Sequence, residues 1–153
     1  MVNRSMPSGE ISQQMPVPSD EVFAVIHDLE QRLKWDTLLA EARITSNDVM
    51  AGKGVTTLCR GKPFFGIFAM ETRYTIFREG EMAAVSLINK PPFFESFTAS
   101  IRHEDNEAGS LAIYNFGFKA KPSIFRWILE PIMLKALTKE TESRLASLRR
   151  YLE

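Results

Sequence analysis

The chain has 153 residues, 44% hydrophobic and 25% charged, with 19 basic and 19 acidic side chains and therefore no formal net charge. That size and balance fit one globular domain and exclude a disordered chain. The missing basic excess argues against a general binder of nucleic acid or anionic membrane. A single cysteine, Cys59, leaves no internal disulfide framework and suits a reducing, cytoplasmic setting.

Residues 1–8 carry Arg4 but no apolar stretch after it, so they read as a flexible tail and not as a secretory signal. Residues 9–153 read as one domain. Glu10–Val17 is a predicted strand with Ile11, Gln13 and Met15 on one side, closed by Pro16 and Pro18. Ser19 is the expected cap of a helix whose apolar face is Val22, Phe23 and Ile26, with Asp20 and Glu21 in its first turn. Leu29–Trp35 reads as a second short helix.

From Ala42 the hydrophobic period is two. Ala42–Val49, Val55–Arg60, Ile67–Phe77, Met82–Asn89, Phe93–Glu104 and Ser110–Lys121 are predicted strands, separated by turns rich in Gly, Pro, Asn and Asp. Such short connections imply sequential antiparallel hairpins. Alternation then assigns an inner face. It takes Phe68, Met70, Thr72, Tyr74 and Ile76 from the third of these strands, and Val85 and Leu87 from the fourth. The fifth gives Phe93, Glu95, Phe97, Ala99, Ile101 and His103, and the sixth Tyr114, Phe116 and Phe118.

Ser123–Glu153 reads as one long helix, about 45 Å at about 1.5 Å per residue. Leu134, Leu137, Thr141, Leu145, Leu148 and Leu152 share one face, extended by Ile124, Trp127, Ile128 and Ile132. Lys139, Glu140, Arg144, Arg149 and Arg150 form the expected charged face. Ser123 is the expected N-cap. Pro131 cannot bond to the carbonyl of Trp127, so it marks either a kink or a boundary between two helices.

The chemistry-bearing residues do not converge in the sequence. Two histidines, His27 and His103, and one cysteine provide no metal-ligand spacing. Gly52-Lys53-Gly54 is a turn and not a phosphate cradle, so no cofactor is expected. Glu71 and Arg73 fall on the outer side by parity. Glu95 and His103 fall at the ends of the inner one, and Tyr74 and Tyr114 offer hydroxyls to a ligand carbonyl. Two loops with paired phenylalanines, Lys62–Gly66 and Lys90–Phe94, either gate a cavity or simply begin strands with one ring buried and one exposed.

The opening Val17-Pro18-Ser19-Asp20-Glu21-Val22-Phe23-Ala24-Val25-Ile26-His27-Asp28, followed by Lys34-Trp35-Asp36, resembles that of the START-like superfamily of polyketide cyclases, dehydrases and lipid-transport proteins. The ending from Ala136 to Leu152 resembles that family's terminal helix. The resemblance covers nearly the whole chain. It implies an α+β helix-grip fold, Bet v 1-like, in which a curved antiparallel sheet wraps the long C-terminal helix around an apolar cavity. It implies no fixed catalytic residues, since a shared fold hosts different activities.

The expected function is therefore binding or transport of a small, largely hydrophobic molecule between sheet and helix. Phe68, Met70, Tyr74, Leu87, Glu95, Phe97, His103, Tyr114, Phe116, Trp127 and Ile128 are the expected contacts. No metal and no nucleic-acid partner are expected, and no apolar run is long enough for an integral membrane segment. The alternatives are a cyclase- or dehydratase-type enzyme, using an inward acid or base among Tyr74, Tyr114, Glu95 and His103, or a protein-interaction module using the phenylalanine loops.

Overall fold

A computed structural model of the chain describes residues 6–62 and 69–153. Strand β1 (Ser8–Met15) leads into helices α1 (Ser19–Ile26) and α2 (Arg32–Trp35). Six strands follow: β2 (Leu39–Ile44), β3 (Thr56–Gly61), β4 (Ala69–Arg78), β5 (Met82–Leu87), β6 (Phe94–Asn106) and β7 (Gly109–Ala120). A 3-10 turn at Ser123–Phe125 then enters helix α3 (Arg126–Leu152).

The seven strands form one antiparallel sheet in the order β1-β7-β6-β5-β4-β3-β2. Strands β2 to β7 are sequential neighbours, as short turns require. Only β1 pairs out of sequence, against β7, so α1 and α2 carry the chain from one edge of the sheet to the other. This is a helix-grip fold: a curled sheet closed by the long C-terminal helix.

Helix α3 is continuous through Pro131, which settles the choice between one helix and two. Thr141, Leu145 and Leu148 are buried, and Leu134, Leu137 and Leu152 pack on the same core. The N-terminal extension of that stripe is a correction: Ile124, Trp127, Ile128 and Ile132 are all exposed. Ile132 precedes Thr141 by about two and a half turns and so points the opposite way. Trp127 lies near the buried stripe by angle but belongs to the first turns, beyond the part of the helix the core covers. Ser123 is not the cap: it begins the 3-10 turn, and Phe125 holds the N-cap position of α3 without a side-chain capping bond.

Two strand bulges correct the parity reading. The β4–β5 register shifts between Tyr74 and Ile76, so beyond Thr75 it is Phe77 that packs inward, against Phe23 and Tyr74. The β6–β7 register shifts between Phe94 and Ser96. Phe94 is therefore buried and Glu95 faces out, paired with Arg126. Phe93 is exposed and Phe94 buried, the split expected of a pair that simply begins a strand. The other paired-phenylalanine loop and Phe68 lie outside the described residues.

The start of α1 is also corrected. Ser19 is its first helical residue and not a cap. Its backbone N–H and hydroxyl both donate to the carboxylate of Asp105, at 2.8 and 3.0 Å, so the end of β6 holds the orphan helix terminus. The main core joins β1, β6, β7, α1 and α3 around Met15, Val22, Phe118 and Leu148. A smaller cluster of Phe23, Val55, Tyr74 and Ala83 fills the β3–β5 side.

Candidate ligand cavity

The core is not solid. A cavity of about 310 Å³ lies between the concave side of the sheet, α2 and α3. That volume is at the lower end of the range of small-molecule sites. Among the described residues, its apolar walls are Met70 of β4, Val85 of β5, Phe94, Phe97, Ala99 and Ile101 of β6, Phe116 of β7, and Met133, Leu137, Leu145 and Leu148 of α3. Phe97 stacks on Phe116 with ring centroids 6.4 Å apart, and Phe94 meets Phe97 edge-on at 6.0 Å.

Among the described residues, the charged part of the lining comes from α2 and α3. Asp36, directly after α2, has no exposed surface. Arg32 Nε donates to its Oδ2 at 3.0 Å, and Arg144 Nε of α3 stands 3.5 Å from its Oδ1. Arg32 also lies over the ring of Trp35, 4.8 Å from its centroid, and both residues line the cavity. Arg144 lines it too, and among the described residues no hydrogen bond satisfies its buried Nε. Glu140, one turn before Arg144, is half-buried in the lining. Burial raises its carboxyl above the usual carboxylate range, partly offset by Arg144. The sequence reading placed Glu140 and Arg144 on an outer charged face. They instead flank the buried stripe of α3, close enough to reach around its edge into the cavity.

Tyr114 lines the cavity from β7, and its hydroxyl has no protein partner among the described residues. Burial holds that phenol above its ordinary pKa against the nearby Arg144 and Arg32. Tyr74 Oη and His27 Nδ1 form a hydrogen bond of 2.8 Å across the cavity wall. Burial, reinforced by Arg32 and His103, lowers the imidazole of His27 to about 3, and burial pushes the phenol of Tyr74 up to about 12, opposed by Arg32. At neutral pH both groups are uncharged.

Of the residues expected at the site, Met70, Tyr74, Phe97, Tyr114 and Phe116 line this cavity. Leu87 packs on the main core outside the lining. His103 also lies outside it, edge-on to Phe23, with neither ring nitrogen hydrogen-bonded among the described residues. Glu95 is turned out by the bulge, and Trp127 and Ile128 are on the exposed start of α3. The sequence reading missed His27, Arg32, Glu140 and Arg144. His27 follows Phe23 by four residues, a spacing that puts it on the same inward face.

The fold and cavity define a helix-grip protein of the START-like and Bet v 1-like class. By sequence the chain matches the family described as polyketide cyclase/dehydrase and lipid transport over residues 6–153, and it belongs to that family. No curated protein matches it in sequence. Similar solved structures include the di-domain ARO/CYC StfQ from the steffimycin biosynthetic pathway, with a TM-score of 0.79 at 9% identity over 96% of this chain and 51% of that one. Ara h 8.0201 superposes with a TM-score of 0.76 at 12% identity, covering 97% of this chain and 98% of its own. A START superfamily protein from Mycobacterium smegmatis gives 0.74 at 12% identity over 96% of each chain. At such identities these likenesses bear on the fold alone.

Proposed function

We propose that the protein binds or carries a small, largely hydrophobic molecule in this cavity. The observation that carries the reading is a space of about 310 Å³ with aromatic, Met and Leu walls in the middle of an otherwise packed fold. The unpartnered hydroxyl of Tyr114 and the guanidinium of Arg144 suit a ligand with one carbonyl, enol or carboxylate on an apolar body. Cys59, a free thiol, is compatible with a cytoplasmic location. Among the described residues no helix is long and apolar enough to cross a membrane.

The experiment is native mass spectrometry of the purified protein followed by organic extraction, with a thermal-shift panel of lipids and aromatic polyketides. A co-purifying apolar molecule, or a panel member that raises the melting temperature, supports the reading. Failure of both removes it.

A second reading, an enzyme of cyclase or dehydratase type, is favoured by one specific observation: charged side chains do enter the cavity. Glu140, with its carboxyl raised by burial, is a proton donor or acceptor within a largely apolar space, and Arg144 is positioned to stabilise developing negative charge. Incubation of a bound ligand with wild type and with Glu140→Gln separates the two readings. Conversion by wild type alone supports the enzyme, and unchanged ligand in both supports the carrier.

A further inference from the structure

We propose that the N-terminal end of α3, with the strand ends beside it, is a docking surface for an anionic lipid bilayer. Five large apolar side chains are exposed within nine residues there: Ile124 at 72%, Trp127 at 71%, Ile132 at 62%, together with Phe125 and Ile128. Scattered exposed hydrophobes are ordinary, but a contiguous group around one helix end marks an interaction site. None of them is needed by the core, which is built from the opposite side of the helix and from its later turns.

The charge around the group is one-sided. Antiparallel alternation brings the C-terminal ends of β3, β5 and β7 to one end of the sheet, and each is followed or closed by lysine: Lys62, Lys90, Lys119 and Lys121. Lys135 adds a fifth, one turn beyond Ile132. None of these ammonium groups makes an ion pair among the described residues. Two of the carboxylates at this end are already engaged: Glu95 with Arg126, and Glu130 as acceptor of the Ala120 N–H at 3.0 Å. Glu71, near the start of β4 at the same end, makes no ion pair among the described residues. A chain that is neutral overall is thus cationic at one end, a segregation that net charge does not reveal.

This combination selects the occupant. A second copy docked symmetrically would set lysine against lysine. A bilayer with anionic headgroups supplies phosphate to the lysines and hydrocarbon to the Ile, Phe and Trp side chains, with the indole at the boundary where it is favoured. The same end of the sheet leads to the cavity. Phe94 and Met133 line it and are chain neighbours of Phe93 and Ile132, so docking here brings one end of the cavity against the lipid.

The test is vesicle flotation with phosphatidylcholine alone and with phosphatidylcholine plus phosphatidylserine. Wild type is expected to bind the serine-containing vesicles at least about tenfold more tightly, and to lose that advantage at high salt. The double variant Ile124→Ser, Trp127→Ser is expected to keep its circular dichroism and melting temperature but to lose binding by about tenfold or more. Lys119→Glu with Lys121→Glu should erase the preference for phosphatidylserine. No flotation on either vesicle overturns the proposal, as does undiminished binding by the serine variant. A dimer seen by light scattering, lost in the serine variant and unaccompanied by vesicle binding, assigns the surface to a second copy instead.

Discussion

Arg144 of α3 and Asp36 after α2 meet at 3.5 Å inside the protein, and Asp36 has no exposed surface at all. Arg32 takes the second carboxylate oxygen at 3.0 Å, so one acid holds two cations at the cavity wall. The triad ties α2, near the start of the chain, to the helix that ends it.

Removing the shared acid leaves two guanidinium groups near one another in a poorly solvated place. Asp36→Ala is therefore expected to lower unfolding free energy by about 3–5 kcal/mol, the usual cost of breaking a buried pair from one side. The exposed pair of Glu95 and Arg126 provides the contrast. Glu95→Gln should change stability by no more than about 1 kcal/mol. Urea titrations of both variants check the difference, and equal effects would show that the triad carries no special weight.

Much of the fold was legible because it depends on patterns that burial imposes on long segments. Alternation over the strands and the Leu134–Leu152 stripe both survive in the structure. What was not legible depends on single residues that break the pattern. The bulges at Thr75 and Glu95 each insert one residue and reverse the facing of what lies beyond, replacing Ile76 by Phe77 and Glu95 by Phe94. The polar lining failed for a different reason. A helical wheel assigns Glu140 and Arg144 to the charged side, and only the depth of the groove beneath α3 decides that long side chains at the stripe's edge turn inward.

Two half-buried histidines, His27 and His103, have ring nitrogens shut off from solvent, and the consequence is a stability that depends on acidity. His27 is lowered to about 3 and His103 to about 4, in both cases first by burial, against 6.5 in the unfolded chain. Between those folded values and 6.5 the unfolded state binds more protons than the native state. Stability therefore rises with pH across that window and falls as the solution is acidified. Each histidine contributes at most about 1.4 kcal/mol per pH unit. His27→Gln should flatten the dependence between pH 4 and 6 by roughly that slope. Chemical denaturation at a series of pH values checks it, and an unchanged slope would mean that His27 is solvated in the native state.

Gly109 has a φ of +135°, and a Cβ placed there would lie 2.3 Å from the carbonyl oxygen of Met15 and 2.8 Å from the backbone of Pro16 and Val17. Those backbone atoms belong to the last residue of β1 and the two residues after it, and cannot yield as a side-chain tip would. Gly109→Ala is expected to cost on the order of 3 kcal/mol or more, combining backbone strain with overpacking. Gly54, also at positive φ, has open space around it. Gly54→Ala should cost less, because only the strain remains. Melting temperatures of the two variants give the comparison.

Ala99 and Ala112 allow the cavity itself to be tested without a ligand. Both are buried alanines on inner strands, Ala99 on β6 and Ala112 on β7, but only Ala99 borders the cavity. Ala112 has no exposed surface and is part of the main core. A phenylalanine at 112 must displace packed neighbours and is expected to destabilise by about 1–3 kcal/mol or more. A phenylalanine at 99 can extend into the open space beside Phe97 and Phe116, where it replaces empty volume by dispersion contacts. Ala99→Phe is therefore expected to leave stability within about 1 kcal/mol of wild type while abolishing uptake of any apolar ligand that wild type binds. Unfolding titrations of the pair read the packing, and ligand-dependent thermal shifts read the occupancy. If Ala99→Phe proved as destabilising as Ala112→Phe, the interior would be solid in solution and the carrier reading would lose its foundation.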